Sequence, residues 1–171
     1  MNDASRYWIV GYGNSQRRDD GCGWHVAARL LRLFGEDRGV TILLLHQLDP
    51  VLAEDLQVAE GVIFVDATTE EIPEGVEWRR IRPEGGVFPC WTHHLKAAAL
   101  MGLIHIVYGR SPSAWLVSVK GQDFGFGEGL SALARKRARR ASREIAAFVA
   151  RKMIDKGKGS IKSYTKAHVG G

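Results

Sequence analysis

Unbroken apolar runs alternate along this chain with segments in which apolar positions recur every three or four residues. The runs predict buried strands at 7–10, 40–45, 61–66 and 114–119, and a mixed segment at 76–81 predicts an edge strand. The periodic segments predict helices at 23–34, 50–59, about 92–108 and 131–156, the second opening with Asp49 as N-cap and Pro50 in the first turn.

Strands that are apolar throughout and alternate with helices are typical of a parallel sheet covered on both faces. We therefore predict an α/β fold of three layers, a mostly parallel sheet flanked by helices on both faces. Residues 1–156 should form this single domain, and residues 157–171, rich in Gly, Lys and Ser, should form a flexible basic tail.

Composition narrows the class of protein. Of the 171 residues, 45% are hydrophobic and 25% charged, which argues against a disordered, collagen-like or coiled-coil chain. No apolar run approaches the roughly 20 residues of a membrane span, and the first residues do not resemble a signal peptide. Two cysteines are too few for a disulfide framework, so we expect a cytoplasmic protein without a membrane partner.

Candidate chemistry lies where predicted strands lead into helices. Asp19 and Asp20 precede the first helix, Asp66 ends the third strand, and His93 and His94 open a later helix. Since the carboxyl ends of parallel strands share one rim of the sheet, these groups should converge there. Two carboxylates and an imidazole suit zinc, nickel, iron or manganese.

Each of these residues also has a structural interpretation. Either Asp19 or Asp20 would serve as a helix N-cap, Asp66 would serve in a cap or turn, and His93 and His94 would face water. The convergence of three loops on one rim favours the metal site, because a carboxylate directly after a buried strand is costly unless it is paired.

The other candidates are weaker. His25, His46 and His105 read as structural or surface residues, with His46 on the same rim, and Cys22 reads as a buried thiol rather than a nucleophile. Gly11 and Gly13 begin a G-x-G pattern, but a long loop and two acidic residues follow it, which disfavours a dinucleotide site.

Charge is distributed unevenly. Residues 1–109 carry 10 Lys and Arg against 15 Asp and Glu, whereas residues 110–171 carry 14 against 4. The basic run at 135–140 in the last helix is predicted to be a solvated face; the alternative is a patch for an acidic protein or for nucleic acid. No aromatic interleaving supports nucleic acid, and we expect no such partner.

Five segments resemble motifs of the hydrogenase maturation proteases, in the same order along the chain. They are the G-x-G-N-x-x-x-x-D-[DE]-G-x-G opening at 11–23, H-Q-L-x-P-x-L-A-E at 46–54, V-D-A at 65–67, a Thr-His-His-Leu element at 92–95, and a glycine-rich loop with G-L-S at 121–131.

The resemblance implies a twisted, mostly parallel sheet between helices and an endopeptidase activity. It implies that the enzyme removes the C-terminal extension of a nickel–iron hydrogenase large-subunit precursor after nickel insertion. By position, the metal-binding and catalytic trio would be Asp20, Asp66 and His93. Nickel would be carried by the precursor and sensed by the trio, so that cleavage follows only when the metal is installed.

Three features depart from the family pattern or fall outside it. Asp20 stands where some members have Glu, tandem His93 and His94 leave the ligand ambiguous although register favours His93, and the basic last helix has no counterpart among the motifs. The simplest scheme is a metal-polarised carbonyl attacked by a water that Asp20 or Asp66 activates.

Two other functions stay open from the sequence. One is a stand-alone metallohydrolase of the same fold with its own zinc or manganese; the other is a nickel-checking, chaperone-like module that binds the precursor without cutting it. Because the partner of a processing protease is transient, we expect a monomer.

Overall fold

The computed structural model describes residues 6–35, 39–82 and 96–155. Its centre is a five-stranded sheet in the order β2-β1-β3-β5-β4. The strands are β1 (Tyr7–Tyr12), β2 (Val40–Leu45), β3 (Gly61–Thr68), β4 (Val76–Ile81) and β5 (Ser113–Lys120). All neighbours pair in parallel except β4, which runs antiparallel to β5 at the edge. The mostly parallel α/β fold is confirmed.

Four helices cover the sheet: α1 (Cys22–Phe34), α2 (Leu52–Leu56), α3 (Ala97–Tyr108) and α4 (Ala132–Asp155). Short 3₁₀ turns at Arg18–Gly21 and Pro73–Gly75 precede α1 and β4. The amphipathic spacing of α1 buries Val26, Ala27 and Leu30, as the three-to-four periodicity predicts.

Two hydrophobic cores lie on opposite faces of the sheet. On one face, α1 and α4 pack on residues that include Ile9, Ile63, Val117, Ala138 and Ile145. On the other, α2 and α3 cover a second set: Val10, Leu56, Val62, Phe64 and Leu100. Alternate residues of β1 and β3 thus enter different cores, which explains why these strands are apolar throughout.

The structure corrects several predicted bounds. β1 continues through Gly11 and Tyr12, because both pair with β2. β3 continues two residues beyond Asp66 because its ladder with β5 reaches Thr68, so Asp66 lies within the strand rather than at its end.

The second helix is shorter than expected: α2 starts at Leu52, not Pro50, and ends at Leu56 instead of Ala59. The prediction of Asp49 as N-cap is therefore wrong, since the N-cap is Val51; the Asp49 Oδ1 atom accepts the Val51 N–H at 2.9 Å in the turn before the helix. Ala59 enters the core beyond the helix.

Two predictions fall outside the described residues. α3 is described from Ala97 onward, so a start at Thr92 or His93 is untested, as is the tail at 157–171. Among the described helices, none is long and apolar enough to cross a membrane.

Candidate active site at the carboxyl edge of the sheet

The candidate site lies between β1 and β3, where the order of strands reverses direction. From β1 the chain passes to β2 on one side, whereas β3 and β5 continue the sheet on the other. In such sheets the crevice at the carboxyl edge of the reversal is the usual ligand site. Gly11 is opposite Val65 in the ladder, and the next residues, Tyr12 and Asp66, open onto this crevice.

Asp66 is a largely buried carboxylate in an unusual electrostatic setting. Burial raises its pKa to about 6, although the Ala67 N–H and the Tyr12 hydroxyl oppose the shift; the charge of Asp20 raises the pKa further. The Ala67 N–H donates to Asp66 Oδ1 at 2.8 Å. Burial and Asp66 in turn raise the pKa of Tyr12 well above its usual value, so its hydroxyl stays a donor.

Asp20 reaches the same crevice from the 3₁₀ turn that leads into α1. Its Oδ2 atom accepts the Asn14 N–H at 3.1 Å, which orients the carboxylate. Two carboxylates that repel each other in a half-buried crevice favour a bound cation, and oxygen donors of this kind suit a divalent metal. Asp66 thus lies within electrostatic reach of Asp20, and the role of both carboxylates as metal ligands stays a prediction.

The third predicted ligand lies outside the described residues. His93 and its neighbour His94 belong to the segment 83–95, which the structure does not describe. Within the described ranges, no group of three His, Cys, Asp or Glu side chains is placed to hold a metal ion. A complete trio of Asp20, Asp66 and His93 thus stays a prediction.

Asp19, the neighbour of Asp20, has a structural role instead. Its carboxylate is fully buried and accepts backbone N–H groups of Gln122, Asp123 and Ser131 at 2.8, 3.0 and 2.7 Å. The Ser131 hydroxyl also donates to it at 2.7 Å. Burial alone would raise its pKa, but these four donors together hold the pKa of Asp19 below its usual value.

These bonds join the opening loop to the glycine-rich loop before α4. The Asp19 N–H donates to the Asp123 carbonyl at 2.9 Å, and the Arg18 N–H donates to the Gly127 carbonyl at 3.0 Å. The Gly127 N–H returns a bond to the Gln16 carbonyl at 2.9 Å. Asp20 is therefore held on a loop that is fixed from both sides, which suits a residue that must present its charge accurately.

Glycines of the opening motif permit a close approach of α1 to the sheet. A Cβ atom on Gly23 would overlap the carbonyl oxygens of Tyr12 and Val65, and one on Gly11 would overlap the Gly23 carbonyl. These glycines thus let the start of α1 lie against the ends of β1 and β3.

The remaining candidates behave as structural or surface groups. Cys22 is fully buried, and burial followed by the charge of Asp19 raises the pKa of its thiol to about 12, which argues against a nucleophile. His25 is partly buried, and burial together with Arg135 and Arg32 lowers its pKa. His46 is exposed beyond β2, and His105 contacts the Ser111 hydroxyl at 3.0 Å.

Sequence reasoning missed two residues of this region. Tyr12 was not singled out, although its place at the end of a buried strand was the available signal. Ser131, predicted only as the start of the last helix and part of a motif, caps α4 in the structure: its Oγ atom accepts the Ala134 N–H at 3.3 Å, and its hydroxyl donates to Asp19.

Several solved protein structures have a fold similar to that of this chain. The [NiFe] hydrogenase maturation protease HycI from Thermococcus kodakarensis KOD1 is 26% identical, with a TM-score of 0.64 over 84% of this chain and 91% of that one. The hydrogenase maturating endopeptidase HybD from E. coli superimposes with a TM-score of 0.65 at 19% identity, over 86% of this chain and 93% of that one.

A third similar structure, a [NiFe] hydrogenase maturation protease HybD from Thermococcus kodakarensis, has a TM-score of 0.60 at 20% identity, over 85% and 99% of the two chains. No family model matches the sequence, and no curated protein matches it either. The chain is therefore similar in fold to hydrogenase maturation proteases, the family whose motifs its sequence resembles.

Proposed function

We propose that this protein is an endopeptidase that removes the C-terminal extension of a nickel–iron hydrogenase large-subunit precursor once nickel has been inserted. The largely buried Asp66 at the strand-order reversal, whose pKa the charge of Asp20 raises, supports the proposal in a chain whose fold is similar to that of the maturation proteases. The solved relatives are themselves hydrogenase maturation proteases and endopeptidases, which supports the general activity.

Nickel belongs to the precursor in this proposal and reaches the enzyme as part of the substrate. Asp20 and Asp66, each oriented by one backbone N–H, would supply carboxylate oxygens to it, and His93 would supply an imidazole nitrogen. Engagement of the metal by all three side chains would place the scissile peptide bond in the crevice, so that an empty precursor is not cut.

Peptide hydrolysis then adds one water across the C–N bond, and a base must take a proton from that water. Asp66, whose pKa is about 6 in the metal-free chain, would take that proton and return it to the leaving amine at a stage when it does not bind the metal. Asp20 is the alternative base. The Tyr12 hydroxyl helps to hold Asp66 in place.

A cleavage assay read by mass spectrometry tests the proposal. We expect the wild-type protein to release a short C-terminal peptide from nickel-loaded precursor and to leave nickel-free precursor intact. Asp20→Ala, Asp66→Ala and His93→Ala should abolish cleavage, whereas His94→Ala should retain it if His93 is the ligand. Asp55→Ala and His105→Ala, which alter exposed residues away from the crevice, are the matched controls.

Other outcomes separate the alternatives. Binding of the loaded precursor without a change in mass would indicate a nickel-checking module. Zinc or manganese retained through purification, with cleavage that ignores nickel in the precursor, would indicate a stand-alone metallohydrolase. Equal cleavage of loaded and empty precursor would contradict the sensing role of the trio.

A further inference from the structure

A basic cleft lies beside the candidate site and is not used by the proposed chemistry. It lies between the turn that follows β3 and the first half of α4, with a volume of about 350 Å³. Two carboxylates line it, those of Glu71 and Glu74. They are outnumbered by five cationic side chains: Lys120, Lys136, Arg137, Arg140 and Arg143. We refer to these five cations and their surface as the basic cleft.

The inner cations of the basic cleft already bind groups of the chain itself. Arg140 contacts Glu74 at 2.5 Å and Glu144 at 2.7 Å, and Lys120 pairs with Glu71. Arg137 donates to the Lys120 carbonyl at 3.1 Å. The ion pairs of Glu71 and Glu74 thus show that carboxylate groups fit against the cations of the cleft.

The outer cations are left without such partners. Within the described part of the chain, neither Lys136 nor Arg143 pairs with a carboxylate, and both line the cleft. Arg139, one residue before Arg140 on the helix, is exposed and equally unpaired among the described residues. The cleft therefore presents net positive charge that the fold does not neutralise.

Arg140 supports α4 through its ion pair with Glu144 one turn on, but the charges of Lys136, Arg139 and Arg143, unpaired among the described residues, do not. The first turn of the helix contains no acidic residue, although the positive end of the helix dipole favours one there. Lys136 and Arg140 are four residues apart, as are Arg139 and Arg143, so like charges face each other along the helix. Repulsion between these cations destabilises α4, and a negatively charged partner bound to them would relieve it.

The basic cleft and the candidate site share the carboxyl edge of the sheet. Lys120 is opposite Thr68, which is two residues beyond Asp66 and so about 7 Å along β3. The Cys22 thiol lies within electrostatic reach of Arg137 as well as of Asp20 and Asp66, so the two sites adjoin.

We propose that the basic cleft binds an acidic segment of the substrate polypeptide, the same polypeptide whose peptide bond is cleaved in the crevice of Asp20 and Asp66. Binding in the cleft would thus help the enzyme to select its substrate. This inference rests on the proposed function. A protein segment fits better than nucleic acid, because no aromatic side chain is among the described residues that line the cleft to stack on bases. Apolar Ile72 and Leu133 in the lining also suit a peptide that carries both acidic and apolar side chains.

The test reverses the two unpaired charges in the variant Lys136→Glu/Arg143→Glu. Its matched control is Arg82→Glu/Arg110→Glu, which makes the same change of net charge at exposed positions near the opposite, amino edge of the sheet. Affinity is measured for fluorescein-labelled poly-L-glutamate, for a DNA duplex, and for a hydrogenase large-subunit precursor. All proteins in the precursor binding assay also carry Asp66→Ala, so that the precursor is not consumed.

We expect the reversal to weaken binding of poly-L-glutamate and of the precursor by about tenfold or more at low salt, with little change in the control. The difference should shrink as salt screens the charges. In cleavage assays of variants that retain Asp66, KM should rise and kcat at saturating precursor should be kept. Thermal unfolding of both variants verifies that the fold is intact.

The failures of the two proposals are distinguishable. If the precursor is cleaved normally and the reversal changes neither affinity nor KM, the basic cleft is only a solvated surface and this inference is wrong while the proposed function stands. If poly-L-glutamate binds in the cleft but the precursor is never cleaved, the proposed function fails and the acidic-segment site stands. Tighter binding of the DNA duplex, lost on reversal, would overturn the inference in favour of nucleic acid.

Discussion

At the scale of single residues, Asp66 shows how a functional group opposes stability. Its folded pKa of about 6 lies above the ordinary value of 3.8, so the folded protein binds a proton more tightly than the unfolded chain does. The ionised carboxylate therefore lowers the free energy of unfolding as pH rises above about 4, and the full cost is present above pH 6.

We expect Asp66→Asn to raise the free energy of unfolding by about 1–3 kcal/mol at pH 7.5 in metal-free protein, because the amide has no charge to bury. The gain should vanish at about pH 4, where Asp66 is protonated in the folded state, which makes the acidic measurement an internal control. Urea unfolding at both pH values measures it. An equal increase in the free energy of unfolding at both pH values would show that Asp66 carries no buried charge at pH 7.5.

Asp19 has the opposite effect, since its carboxylate satisfies three backbone donors and a hydroxyl. We expect Asp19→Ala to lower the free energy of unfolding by about 3–5 kcal/mol, because the buried donors would lose their acceptor. Chemical denaturation checks this, and Asp55→Ala on the exposed side of α2 should change stability by less than about 0.5 kcal/mol.

The pH dependence of the Asp19 contribution follows from its lowered pKa. A depressed carboxyl pKa adds stability above the unfolded value of 3.8, and this stability is lost as pH falls through the folded pKa. The difference between wild type and Asp19→Ala should therefore persist at about pH 5 and shrink only below about pH 4. A difference already lost at pH 5 would contradict the arrangement of donors.

At the scale of elements, the contact of α1 with the ends of β1 and β3 sets the position of the crevice. Alanine is favoured over glycine within helices by about 1 kcal/mol, so Gly23→Ala would stabilise an isolated α1. In this fold the added methyl would meet the Tyr12 and Val65 carbonyl oxygens, and we expect a net loss of about 2 kcal/mol or more.

Gly129→Ala separates this steric effect from backbone strain. Gly129 has a φ of +82°, but no atom lies within 4 Å of the position that an added methyl would take, so its substitution should cost only about 1–2 kcal/mol. Thermal unfolding of the two variants compares them. A neutral Gly23→Ala would show that α1 tolerates displacement from the sheet.

At the scale of the whole molecule, the two cores are complete within the described residues. Core side chains extend from Tyr7 to Met153, and both faces of the sheet are covered by helices. We propose that residues 157–171 add nothing to the stability of the domain. A chain that ends at Asp155 should unfold within about 2 °C of the full-length chain in calorimetry. A drop of several degrees would place part of the tail in the folded domain.

Local patterns in the sequence determined most of the architecture. Apolar runs located four strands, a mixed segment located the edge strand β4, and the three-to-four periodicity located the four described helices, because burial leaves a short-range signature in the chain. The strand-end rule also predicts Asp20 and Asp66 on one rim, and in the structure the charge of Asp20 raises the pKa of Asp66. The bounds of β1, β3 and α2 were predicted less well, since ladders with neighbouring strands and packing set them.

Only the tertiary structure decided between the two adjacent aspartates. Residue patterns alone left Asp19 and Asp20 equivalent, and only the family resemblance favoured Asp20, whereas the fold buries Asp19 under donors that include Ser131, which is 112 residues away. The contact of Tyr12 with Asp66 and the basic cleft between the turn after β3 and α4 arise in the same way. Hydrophobic periodicity reports burial residue by residue, but a side chain's partners come from distant segments that meet only when the sheet has formed.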